Sequence, residues 1–153
     1  ASKPVMEGKA VLFKRFADVD SIDLEVDTED AAKFIEAAAG LINACLLTGR
    51  ELRDVKVVVN GAGAAAIACT ELIKAMGVRG DQVIMCDRSG VIHNGRDDLD
   101  QWKSAHAVDT DRRTLADALD GADVFLGLSA AGALKAEWVL KMAPQPIIFA
   151  MAN

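Results

Sequence analysis

Val57-Val58-Val59-Asn60-Gly61-Ala62-Gly63-Ala64-Ala65-Ala66 is the stretch on which the fold turns. A β-branched run enters G-x-G-x-x-A and continues into an apolar, alanine-rich segment, Ala65 to Met76, that Gly77 closes. The pattern predicts a buried strand, a tight turn and a helix. In such a unit Gly61 permits the turn, Gly63 keeps a Cβ out of the way of a pyrophosphate, and Ala66 lets the helix lie close to the strand. The free N–H groups of the first helical turn then face an anion, aided by the positive end of the helix dipole. Gly61, Ala62, Gly63, Ala64 and Ala65 are therefore the candidate phosphate loop.

The pattern repeats on either side. Gln82 to Cys86, Asp123 to Leu128 and Ile147 to Met151 read as further strands, and Leu99 to His106, Thr114 to Leu119 and Leu134 to Met142 as helices. Upstream, Ala10 to Phe13 and the alternating Ile22, Leu24, Val26 read as two short strands. A helix of about 18 residues follows, N-capped by Asp27 and stopped by Gly49. Strands alternating with helices imply an α/β chain, a Rossmann-like parallel sheet with flanking helices. Its last strand, after Pro144 and Pro146, leaves an exposed edge.

Asp87 ends the strand after the loop, 21 residues beyond Ala66, where a ribose-binding carboxylate belongs. A carboxylate there favours the free 2′-hydroxyl of NAD. The adjacent Arg88 offers a guanidinium to the 2′-phosphate of NADP. The two residues point opposite ways. Gly127-Leu128-Ser129-Ala130-Ala131-Gly132 sits at the carboxyl end of the next strand, which makes Ser129 a candidate contact to the dinucleotide.

Composition removes other classes. The 153 residues carry 17 Lys+Arg against 23 Asp+Glu, a net charge of −6, which argues against a nucleic-acid partner. No apolar run approaches the roughly 18–20 residues of a membrane span. Cys45, Cys69 and Cys86 stand singly in apolar stretches, which fits reduced thiols and a cytoplasmic location. The acidic run Asp97, Asp98, Asp100, Asp109 and Asp111 has the residue types for magnesium, but helix caps and solvated loops use them more often; no metal ligand is assigned. His93 and His106 read as surface or packing residues, and Trp102 and Trp138 as core or interface. Lys9, entering an apolar strand, has the chemistry of a base if burial lowers its pKa.

Pro4-Val5-Met6-Glu7-Gly8-Lys9-Ala10-Val11-Leu12-Phe13-Lys14-Arg15-Phe16-Ala17 and Asp20-Ser21-Ile22-Asp23-Leu24-Glu25-Val26 resemble the end of the substrate domain of bacterial malic enzymes. Ala39-Gly40-Leu41-Ile42-Asn43-Ala44, Val57 to Cys69 and Phe149-Ala150-Met151-Ala152-Asn153 resemble that family's cofactor domain. The resemblance divides the chain into a substrate-domain remnant, 1–38, and an NAD(P)-binding domain, 39–153, shortened at its C-terminal side. It implies oxidative decarboxylation of malate to pyruvate and CO2, with NADP or NAD reduced and Mg2+ or Mn2+ in the parent enzyme. It also implies Lys9 as the base at the C2 hydroxyl, Asn153 beside the nicotinamide, and a homodimer or higher homo-oligomer. Two features depart from the family. Its acid is a tyrosine, and this sequence has no tyrosine. Its metal carboxylates lie in a stretch missing here, where Ala32-Lys33-Phe34-Ile35-Glu36 runs directly into Ala39. A catalytically inactive dinucleotide-binding fragment is the alternative expectation.

Overall fold

Val57–Asn60 (β1) is buried at every position because layers of helix cover both of its faces. Around it the computed structural model describes residues 28–152, with side chains from residue 34 onward. The two upstream strands, the Asp27 cap, Lys9 and Asn153 lie outside the described residues.

β1 pairs in parallel with Val83–Asp87 (β2) on one side and Val124–Gly127 (β4) on the other. Ile147–Ala150 (β5) adds in parallel to β4, and Gly90–Val91 (β3) folds back antiparallel on β2. The order is β3-β2-β1-β4-β5. The expected Rossmann-like sheet is present, but it is mixed and not purely parallel. β3 has two residues, too few to leave a period in the sequence.

Side chains alternate across the sheet with period two. Val57, Val59, Val83, Met85, Val124 and Leu126 enter one core, with Thr28–Thr48 (α1) and Ala64–Ala75 (α2). Val58, Cys86 and Phe125 enter the other, with Ala118, Leu119 and Met142. The second face carries shorter helices, Leu115–Leu119 (α4) and Ala136–Val139 (α5). Thr114 caps α4 in a reciprocal capping box with Asp117. Gln101–Ser104 (α3) starts at Asp100, whose Oδ1 accepts the Lys103 amide at 2.8 Å. The α3 and α5 helices are shorter than the sequence predicts, and Trp102 is 62% exposed and not in the core.

The helix α1 runs unbroken through residues 38 and 39. Phe34, Ala37, Ala38, Leu41 and Cys45 form its buried stripe, an i, i+3, i+4, i+7 spacing. Gly40 lets it close on β5, since a Cβ there would stand 2.8 Å from the Phe149 ring. Beyond its end Arg50 donates to Asp123 Oδ1 at 3.2 Å and to the carbonyls of Gln145 and Pro144, tying the helix to the β4–β5 connection.

If α1 belongs to this core, Leu41→Ala removes a fully buried side chain and costs about 2–5 kcal/mol by urea denaturation. A cost below about 1 kcal/mol would show that the helix contributes no packed core.

Candidate functional site

The parallel ladders end level. Asn60 pairs with Cys86 and Gly127, and Gly127 with Ala150. Three amides continue the ladder past the strands: Gly61 donates to the Cys86 carbonyl at 2.8 Å, Leu128 to Asn60 at 2.9 Å, and Met151 to Gly127 at 2.9 Å. After β1 the chain leaves toward β2, while β4 lies on its other side, so the loops after β1 and β4 diverge at a topological switch point. A cleft of about 380 Å3 opens there, within the usual range for ligand sites.

Gly61 and Gly63 do different work in that corner. Gly61 has φ +136°, and a Cβ on it would meet the Leu128 carbonyl group at 3.2–3.3 Å. Only glycine fits. Gly63 has φ −81°, open to any residue, and nothing lies within 4 Å of where its Cβ would be. The space over Gly63 is therefore empty of protein. Gly63 is also the N-cap of α2 and supplies no capping side chain. The first intrahelical bond runs from the Ile67 amide to the Gly63 carbonyl at 3.0 Å, so the amides of Ala64, Ala65 and Ala66 have no intrahelical acceptor. Ala66, 2% exposed, is held close to the sheet, as its size predicts. An anion over Gly63 would meet those amides and the positive end of a 12-residue helix.

Ala62 lines the near wall and Ser129 the opposite one, with Leu128 between the two loops. At the far end stand Asp87, Arg88, Ser89, Asp98 and Lys103. The structure thus brings the 61–63 turn, Asp87 and Ser129 to one cleft. Arg88 is exposed.

Asp87 is not the free carboxylate the sequence suggests. Its Oδ1 accepts Arg96 Nη1 at 2.9 Å and the Ser89 amide at 2.9 Å. Its Oδ2 accepts Arg96 Nη2 and Lys103 Nζ, both at 3.1 Å. Four donors occupy the four sites a carboxylate offers. Burial pushes the carboxyl up, and the bonds from Arg96, Lys103 and Ser89 outweigh it and hold it down at about 2. Arg96 also grips Asp98, through Nε to Oδ1 at 2.8 Å and Nη2 to Oδ2 at 2.6 Å. Sequence reasoning missed Arg96 and Lys103. The signal for Arg96 lay directly before the acidic run, two residues ahead of Asp98.

Lys103 is anchored from behind. His106, 5% exposed, accepts from Lys74 Nζ through Nδ1 at 2.8 Å and places Nε2 3.3 Å from Glu71. Burial lowers the pKa of His106, and the neighbouring Lys74 lowers it further. The neutral ring with Nε2–H is the form these contacts select. It binds the end of α3 to α2.

Burial raises the thiols, Cys69 to about 11 and Cys86 to about 12, which makes them unreactive. Among the described residues no three His, Cys, Asp or Glu side chains converge as a metal site, and no helix is long and apolar enough to cross a membrane.

Residues 34–153 match the family "Malic enzyme, NAD binding domain". An NADP-dependent malic enzyme of Rhizobium meliloti (strain 1021) is 54% identical over 202 positions, which take in all of this chain and 26% of the relative. The chain thus spans about a quarter of the length of this relative and of a probable NADP-dependent malic enzyme of Rickettsia prowazekii (strain Madrid E). Those 202 positions exceed the 153 residues of the chain by 49, so the relative carries at least 49 positions that no residue here faces. Among solved structures, a malic enzyme of Entamoeba histolytica superposes with a TM-score of 0.73 at 32% identity, covering 85% of this chain and 29% of that one. An NAD-dependent malic enzyme of Thermotoga maritima gives 0.70 at 30% identity, covering 99% and 54%.

The Asp87 clamp has a pH signature. A carboxyl held near 2 when folded and near 4 when unfolded stabilises the fold by about 2 kcal/mol above pH 4, and about half of that is gone by pH 3. Stability measured from pH 6 to 3 should fall less steeply in Asp87→Asn than in the unmodified chain. Equal slopes would contradict the clamp.

Proposed function

The chain belongs to the malic enzyme family, and on that premise we propose that it is the nucleotide-holding part of an NADP-dependent enzyme that oxidises malate and releases pyruvate and CO2. In this reading residues 1–38 come from a substrate domain and 39–153 form the nucleotide domain. Supporting it is the family match over 34–153, together with the empty corner over Gly63 at an uncapped helix start. That corner is the observation that carries the proposal.

Each part of the cleft takes one part of the dinucleotide. Amides of Ala64 and Ala65 hold the pyrophosphate, with Gly61 and Gly63 keeping side chains away and Ala62 walling the near side. Ser129 closes the cleft from the β4 loop. Arg88, with Ser89 and Lys103 beside it, suits a 2′-phosphate better than a bare ribose, because Asp87 has no lone pair left for a hydroxyl. NADP is therefore the preferred cofactor. When bound, it supplies the nicotinamide that accepts hydride from C2 of malate. Lys9 takes the C2 hydroxyl proton and Asn153 orients the substrate beside the nicotinamide; both roles rest on the family resemblance. The described residues offer no fit for Mg2+ or Mn2+, and no step is assigned to either. A homo-oligomer in the cytoplasm is the expected state.

A second reading is favoured by two facts. The sequence has no tyrosine, and at least 49 positions of the Rhizobium relative have no counterpart in it. With the acid and the metal-bearing stretch absent, the 153-residue chain by itself binds nucleotide without turning over malate.

Gly63→Val places its Cβ where no protein atom lies within 4 Å, so the fold survives with a poorer N-cap and the side chain stands in the way of a ligand. Calorimetric titration should show NADP+ binding weakened at least tenfold, with the melting temperature lowered by no more than about 8 °C. Equal binding by the valine variant, or none by the unmodified chain, would reject the loop. In the same preparation malate-dependent NADPH formation should be undetectable. Turnover would remove the second reading and show that the tyrosine is dispensable.

A further inference from the structure

Two carboxylates, Asp87 and Asp98, line the end of the cleft that receives the ribose, where they would repel a phosphate. One side chain, Arg96, binds both.

We propose that Arg96 is the positioning residue that sets cofactor choice: by occupying both oxygens of Asp87 and pairing with Asp98, it withdraws the carboxylates from ribose recognition and leaves the cleft suited to a 2′-phosphate. This inference rests on the NADP reading above and names the residue responsible for it.

The geometry is that of a planar fork between two acids. Nη1 and Nη2 meet the two oxygens of Asp87 at 2.9 and 3.1 Å, and Nε and Nη2 meet those of Asp98 at 2.8 and 2.6 Å. The side chains of Arg96 and Asp87 are each 10% exposed, so solvent screens their pairing little. The remaining Nη1 hydrogen points to the Val91 carbonyl at 3.4 Å. All five donors are then committed, and Arg96 has none to offer a ligand directly. It acts through Asp87.

The fold delivers Arg96 to this place. β3 reverses the chain against β2, pairing Asp87 with Gly90, and the turn closed by the Arg96 amide on the His93 carbonyl at 3.1 Å carries Arg96 back beside Asp87. The charges then balance toward an anion. Arg88, Arg96 and Lys103 stand against Asp87 and Asp98, one positive charge in surplus. Without Arg96 the surplus is gone and two lone pairs of the cleft-lining Asp87 are released, which lets its carboxylate turn to accept a 2′-hydroxyl and repel a phosphate. Lysine at 96 restores charge at one point but not the fork to two carboxylates.

The test is the ratio of NAD+ to NADP+ dissociation constants, measured by calorimetry at fixed ionic strength. The unmodified chain should favour NADP+ at least tenfold. Arg96→Gln should shrink that ratio at least tenfold, Arg96→Lys should fall between, and Asp87→Asn/Arg96→Gln should recover the NADP+ preference because the bared carboxylate is gone. Loss of fold weakens both nucleotides alike and leaves the ratio unmoved. If Arg96→Gln alone does not fold, Asp87→Asn and the double variant decide, since with Asp87 neutral their ratios should agree within about threefold. An NADP+-preferring chain whose ratio ignores Arg96→Gln, or a double variant that fails to recover, overturns this inference and leaves the NADP reading standing. An unmodified chain that prefers NAD+ overturns both.

Discussion

A helix that begins without a cap, facing an empty corner, is the constraint around which the structure is arranged. Three amides at the start of α2 lack intrahelical acceptors, and the residue before them has no side chain to satisfy them. Such a terminus is tolerable in water and favourable against an anion. The sheet produces the corner. β1, β2 and β4 end in register, and the loops after β1 and β4 part on opposite sides of the central strand. Gly61 adds the last requirement, because any larger residue would strain its backbone and press on the Leu128 carbonyl.

The other end of the cleft is governed by charge. Arg96, Lys103 and the Ser89 amide saturate Asp87, and the neutral His106 fixes the end of α3, which bears Lys103, against α2. On the reading proposed above, phosphate recognition divides between main-chain dipoles at one end and a buried ion-pair network at the other, the first taking any dinucleotide and the second choosing between two.

Much of this is visible in the sequence, for physical reasons. The fingerprint is legible because each of its positions answers to one steric demand, and the strands because both of their faces are buried. Asp87 is legible by place but not by state, since the residues that occupy its oxygens arrive from 9 and 16 positions away. β3 left no pattern because two residues have no period. Arg96 is hidden at the head of a run that reads as a solvated acidic loop, and its forked pairing depends on a hairpin the sequence does not announce. The helix α1 is continuous where the family resemblance places a join, because alanines and a glycine extend one apolar stripe across it. Among the described residues β5 is the outermost strand of the sheet on the β4 side.

Amide chemical shifts followed during titration with NADP+ test the central claim most directly. Saturable shifts at Gly63, Ala64, Ala65 and Ala66, joined by Ser129 and Ser89, are the result this account predicts. Binding that leaves the α2 amides unmoved, or that shifts the opposite end of the sheet instead, would contradict it.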